Sequence, residues 1–229
     1  ADKRKYGFRR AFTLRPHLLK GMLSISGWTM VQSFISVSIW FIFFLAIEHL
    51  GERPLAVTNI VRNISALLIM VISAFATTAG ALISNQIGAG EQRCLFKTCG
   101  MTLKLTYAIL IPLLIILCLF PESVLRAFTD SPSLIAASVN SVYVMASSTL
   151  IMAPSFILFN AVSGTGNTRA GFIMEMISLA VYTAVIYYGI IRLKPDVALC
   201  WFSEHVYGVT LIFLAWWYLK SGKWRGKKV

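Results

Sequence analysis

The chain has 229 residues, of which 57% are hydrophobic and only 13% charged, with a mean hydropathy of +0.74. A soluble globular domain carries roughly 25% charged residues, so this composition excludes water as the main solvent and indicates an integral membrane protein. The formal net charge of +12 does not mark a nucleic-acid binder, because the Lys and Arg residues sit between apolar stretches instead of along one groove-sized face.

A bilayer core about 30 Å thick takes around 20 apolar residues per helical span. The sequence therefore predicts an all-α unit of six transmembrane helices over residues 18–219, preceded by a basic cytoplasmic linker, 1–17, and followed by a basic cytoplasmic tail, 220–229. Within the linker, Phe8 to Arg15 can lie along the headgroups with its arginines on lipid phosphates. The first span covers about 20–47 and the second about 54–87, after the turn Gly51-Glu52-Arg53-Pro54. The second is long enough to tilt or protrude. The third runs over about 94–119, the fourth about 134–162, the fifth about 169–192 and the sixth about 197–219. Pro112 and Pro154 fall inside spans, where each removes a backbone hydrogen bond and usually kinks the helix.

Positive residues are retained on the cytoplasmic side of a membrane. Sixteen of the 21 Lys and Arg residues fall on the side of the N-terminus and five, counting Arg62 within a helix, on the other. Both termini are therefore expected in the cytoplasm, which requires an even number of spans. Gly88, Gly90, Gly164 and Gly166 stand where positive φ angles would end helices in tight loops. A phosphate-cradling loop at Gly164-Thr165-Gly166 is set aside, since no strand precedes it and no Gly-Lys-Ser/Thr follows.

An ionisable side chain in a span costs several kcal/mol unless paired or hydrated, so it is a functional candidate by default. Glu48, Arg62, Glu175 and Glu204 qualify. At 1.5 Å per residue, Arg62 lies about 12 Å in from Pro54 and Glu204 about 10 Å in from its helix end. That match favours a buried Arg62–Glu204 ion pair, either functional or a static bridge, with Glu48 as the other possible partner. Asn59, Arg62 and Asn63 share a helix face that should meet protein or water. Glu175, about 9 Å in from Arg169, shares a face with Gly171, Ser178 and Tyr182 and has no Lys or Arg nearby in its own span. Such a carboxylate can exchange a proton near neutral pH. It can also coordinate sodium, or simply hydrogen-bond a neighbouring helix.

In the first span, Gln32 and Ser36 share a face, with Trp40 one turn further on. Trp40, Phe43, Phe44, Tyr143, Tyr182, Tyr187 and Tyr207 offer ring faces to a lipophilic cation, although each can equally face lipid. The four cysteines form no CxxC pair and no zinc-spaced Cys/His cluster. His205, the only histidine placed within a span, adjoins Glu204 and so lies on a different helix face. No enzymatic constellation and no cofactor are expected.

Three stretches resemble the multidrug and toxic compound extrusion (MATE) family. They are Trp40 to Gly51 running into Leu55 to Arg62, the helix end Ser84-Asn85-Gln86-Ile87-Gly88-Ala89-Gly90-Glu91, and Val162-Ser163-Gly164-Thr165-Gly166-Asn167-Thr168-Arg169. Family members have twelve helices in two six-helix halves, and this sequence resembles the second. The resemblance implies one lobe of a cation-coupled multidrug antiporter of the cell inner membrane, either a fragment or one partner of a split transporter. Such a protein exports lipophilic cationic compounds by alternating access, with Na+ or H+ as the transported coupling ion. Its partners would be membrane lipid and an N-terminal six-helix lobe. It also makes the Gln32/Ser36 face a cavity wall, although several family members carry an acidic residue near there. A related lipid or polysaccharide flippase is the alternative within transporters, and a non-transporting membrane subunit is another.

Overall fold

The structure is a computed structural model that describes residues 16–222 and 224. Most of the expected linker and tail lies outside those residues. Six helical segments among the described residues are long and apolar enough to cross a membrane. Helix α1 is Pro16–Glu48, α2 Glu52–Gly88, and α3 Leu95–Leu119, entered through the 3-10 turn Gln92–Cys94. A short α4, Pro121–Leu125, leads to α5, Pro132–Gly164; both begin with proline, whose fixed φ and missing N–H suit a first helical position. Helix α6, Thr168–Val185, continues as a π-helical stretch, Ile186–Arg192. The sixth span, Val197–Ser221, has a local break at Trp201–Phe202 that divides it into α7, Val197–Cys200, and α8, Ser203–Ser221. At the break, Trp201 is buried edge-on to Phe43 of α1, with ring centroids 5.7 Å apart.

Helix α5 is the centre of the lobe, packed against α2, α3, α6 and α8. Its buried positions are rich in small and hydroxyl residues, among them Ser138, Ser148, Thr149 and Ala153. Small residues let helix backbones approach where lipid offers no hydrophobic drive for association. Several of their hydroxyls are satisfied locally, as where Ser138 donates to the Leu134 carbonyl at 2.7 Å and Thr149 to that of Met145 at 2.8 Å, whereas Ser141 and Ser155 find no partner among the described residues. Pro112 in α3 and Pro154 in α5 lie within uninterrupted helices.

The glycines divide differently from the sequence expectation. Gly90 (φ 82°) and Gly166 (φ 77°) do adopt left-handed turns, whereas Gly88 and Gly164 end helices α2 and α5 without a positive φ. Gly164 serves packing instead. A Cβ there would stand 2.5 Å from the Gly80 carbonyl oxygen, and one on Gly80 would stand 2.9 Å from the Asn160 carbonyl oxygen. Helices α2 and α5 thus cross backbone to backbone. Just beyond Gly166, Asn167 caps α6 by accepting from the Ala170 N–H at 3.2 Å and reaches α8 by donating to the Tyr218 hydroxyl at 2.6 Å.

Helix α1 is the least embedded. Its C-terminal half buries Phe43, Ala46 and Ile47, while Met30, Phe34 and Val37 are each about 70% exposed.

Candidate functional site

A cavity of about 400 Å³ opens between α1, α2, α5, α6 and α8. Its walls are mainly apolar (Trp40, Ile69, Met152, Phe156, Leu179), and its polar groups are Ser36, Glu175, Tyr182, Glu204 and Tyr207. Helix α6 supplies Glu175 and Tyr182 from successive turns of one face. Helix α8 supplies Glu204 and Tyr207, three residues apart.

Glu175 is buried, with 4% of its surface exposed. The Tyr207 hydroxyl lies 3.0 and 3.1 Å from its two carboxylate oxygens. Ser36 Oγ lies 2.9 Å from Glu175 Oε1 and 3.0 Å from the Gln32 carbonyl. A serine hydroxyl carries one proton and two acceptor lone pairs, so Ser36 has two complementary states. It donates to a Glu175 carboxylate, or it accepts from a Glu175 carboxylic acid while donating to Gln32. Both charge states of Glu175 therefore find a partner. One turn along α6, Ser178 is fully buried and its Oγ has no hydrogen-bond partner among the described residues.

Glu204 sits in the first turn of α8 and accepts from the Tyr182 hydroxyl at 2.9 Å. A helix N-terminus favours a carboxylate, so the break before α8 provides that favourable end. Tyr182 and Tyr207 meet edge to face at 5.8 Å. The two carboxylates are thereby joined through two touching phenols.

The expected Arg62–Glu204 ion pair is not formed. Arg62 is half-buried with its guanidinium 5.9 Å from the Trp40 ring centroid and 5.2 Å from that of Phe44. Among the described residues it makes no salt bridge with Glu48 either. Similar depth does not bring the two side chains together: Glu204 is turned toward Tyr182, and Arg62 toward Trp40 and Phe44. Glu48 is exposed near the end of α1, Asn59 is half-buried and Asn63 exposed on α2; none of the three lines the cavity. Gln32 joins the site through its carbonyl. Tyr143 and Tyr187, 42% and 44% exposed, stand away from it. The apolar wall from α2 and α5, Ile69, Met152 and Phe156, was not singled out in the sequence, where nothing separates such residues from ordinary core.

The family profile described as MatE matches residues 29–188. The chain belongs to the MatE family. Members are transporters, not enzymes, and the six apolar helices make this one a multi-pass membrane protein. Among solved structures, an outward-facing multidrug resistance MATE family transporter of the MOP superfamily has a TM-score of 0.78 at 14% identity, over 89% of this chain and 46% of its own. A MOP superfamily transporter from Pyrococcus furiosus, described as having a binding pocket of reverse polarity that suggests a different function, gives 0.76 at 14% identity, over 87% of this chain and 44% of its own. A MATE in the straight conformation gives 0.75 at 14% identity, over 92% and 47%. At such identities the likeness is one of fold. The chain spans about half the length of these transporters, and no curated protein sequence matches it.

Proposed function

We propose that this MatE chain acts as the C-terminal lobe of a cation-coupled antiporter, joined to an N-terminal six-helix lobe in the same or a separate chain. With both termini cytoplasmic, it exports lipophilic cationic compounds across a cell membrane by rocking against that lobe around a shared cavity. Occupancy of the acidic site by H+ or Na+ opposes occupancy by the organic cation.

The observation that carries the reading is the Ser36–Glu175–Tyr207 network. A buried carboxylate facing a cavity, with a hydroxyl neighbour able to donate or accept, is satisfied both before and after it takes up a proton. Sodium would find oxygen ligands in the same carboxylate and hydroxyls, together with the unpartnered Ser178. Glu204 is a second carboxylate on the same wall.

The test is efflux of tetraphenylphosphonium from vesicles carrying this chain with and without an N-terminal-type lobe, under an imposed proton or sodium gradient. Gradient-driven efflux with the lobe is the expected result. If neither gradient moves the probe in either preparation, the antiporter reading is wrong. Glu175→Gln should abolish the gradient dependence, and transport that keeps full coupling in that variant would remove Glu175 as the exchange site.

A further inference from the structure

The carboxylates described above leave one charge unexplained. Arg62 lies within the span formed by α2 and makes no salt bridge among the described residues. Aromatic faces repay only part of the cost of placing a guanidinium there. The geometry ties it to the cavity in two ways. Trp40, whose ring neighbours the guanidinium at 5.9 Å, is itself a cavity wall. Ile69, seven residues on and therefore on the same face of α2, is another wall residue. Arg62 thus stands about two helical turns, on the order of 10 Å along α2, from the level of Ile69.

Glu175 and Glu204 are the charged residues of the wall, and both are acidic. The cavity consequently has an acidic pole formed by α6 and α8, while Arg62, which does not itself line it, stands as a basic pole just behind its Trp40 wall. A simple cation satisfies the first pole alone. An amphipathic zwitterion, with an amine at one end and an oxyanion at the other, satisfies both.

We infer that Arg62 is the specificity-determining residue of this cavity, favouring those amphipathic amines that also carry an oxyanion by pairing with their anionic end. The inference rests on the cavity proposed above as the transport site, and it narrows the substrate class of that site. A bidentate guanidinium suits a carboxylate, phosphate or sulfonate equally, so the shared feature is the oxyanion. The amine occupies the Glu175/Glu204 end, and the hydrocarbon between them covers Trp40 and its apolar neighbours.

Binding, not transport, tests it, so that failure of the antiporter reading remains a separate result. The full chain in lipid nanodiscs is titrated by calorimetry at neutral pH with 8-aminooctanoate and with its amide, which differ only in the anionic group. The wild type should bind 8-aminooctanoate at least about tenfold more tightly than the amide, a difference of about 1.4 kcal/mol. Arg62→Gln should bring that ratio close to one, mainly by weakening the zwitterion, and Arg62→Lys should keep a preference. Should Arg62→Gln fail to fold, the wild-type ratio decides alone. A wild type that binds neither probe, or binds the amide as tightly as the zwitterion, overturns the inference. So does a preference that survives in Arg62→Gln, because the charge reading the oxyanion then lies elsewhere.

Discussion

Glu175 shows what a single residue's surroundings do to its chemistry. The sequence placed an acid in a span without a basic neighbour, and the fold then gave it a tyrosine from α8 and a serine from α1. Neither partner was legible as such. Ser36 was singled out for its helix face and Tyr207 as one aromatic of several, because pairing across helices depends on how α1, α6 and α8 meet. Within the proposed mechanism, the two-way hydroxyl makes Ser36 sensitive to substitution. Ser36→Ala removes hydrogen bonding to a charged group worth about 1.5–3 kcal/mol and should weaken proton-coupled efflux by roughly ten- to a hundredfold, whereas Ser36→Thr keeps the hydroxyl and should stay near wild type. Equal rates for alanine and threonine would show that the hydroxyl has no part in coupling. Arg62 illustrates the opposite outcome. Its depth was readable, but its aromatic seat was not, since rise per residue says nothing about which side chains of a neighbouring helix it meets.

At the scale of helices, hydropathy carried most of the information. Six apolar stretches became six spans because a helix in lipid must satisfy its own backbone and each needs a similar length of apolar residues. Departures from regularity were harder to read. The π-helical end of α6 and the break before α8 leave little trace in a hydropathy pattern. The glycines were legible as special positions but not in kind: a residue lacking Cβ serves a turn at Gly166 and a helix crossing at Gly164. The crossing predicts that Gly164→Ala destabilises the lobe by about 1–3 kcal/mol through overpacking. Gly88→Ala, where an added Cβ meets nothing within 4 Å, should be neutral or stabilising by up to about 1 kcal/mol. Thermal unfolding in detergent distinguishes them, and similar melting temperatures for the two variants would refute the packing role.

For the whole molecule, the charge count across the loops predicts a definite orientation. In a cysteine-free background, a membrane-impermeant thiol reagent applied to intact cells should label Asp130→Cys, in the exposed link before α5, and spare Ser221→Cys at the end of α8. The reverse pattern would invert the proposed topology. Helix α1 stands at the margin of the lobe, with Phe43, Ala46 and Ile47 seated in the core and Met30, Phe34 and Val37 turned outward. Between these two groups, Ser36 fastens the helix to Glu175. A hydrogen bond to a carboxylate is stronger than one to its neutral acid, so the grip on α1 slackens when Glu175 is neutralised and tightens when it is charged. The least anchored helix of the lobe is tethered, in effect, by a knot whose tension is set by one proton.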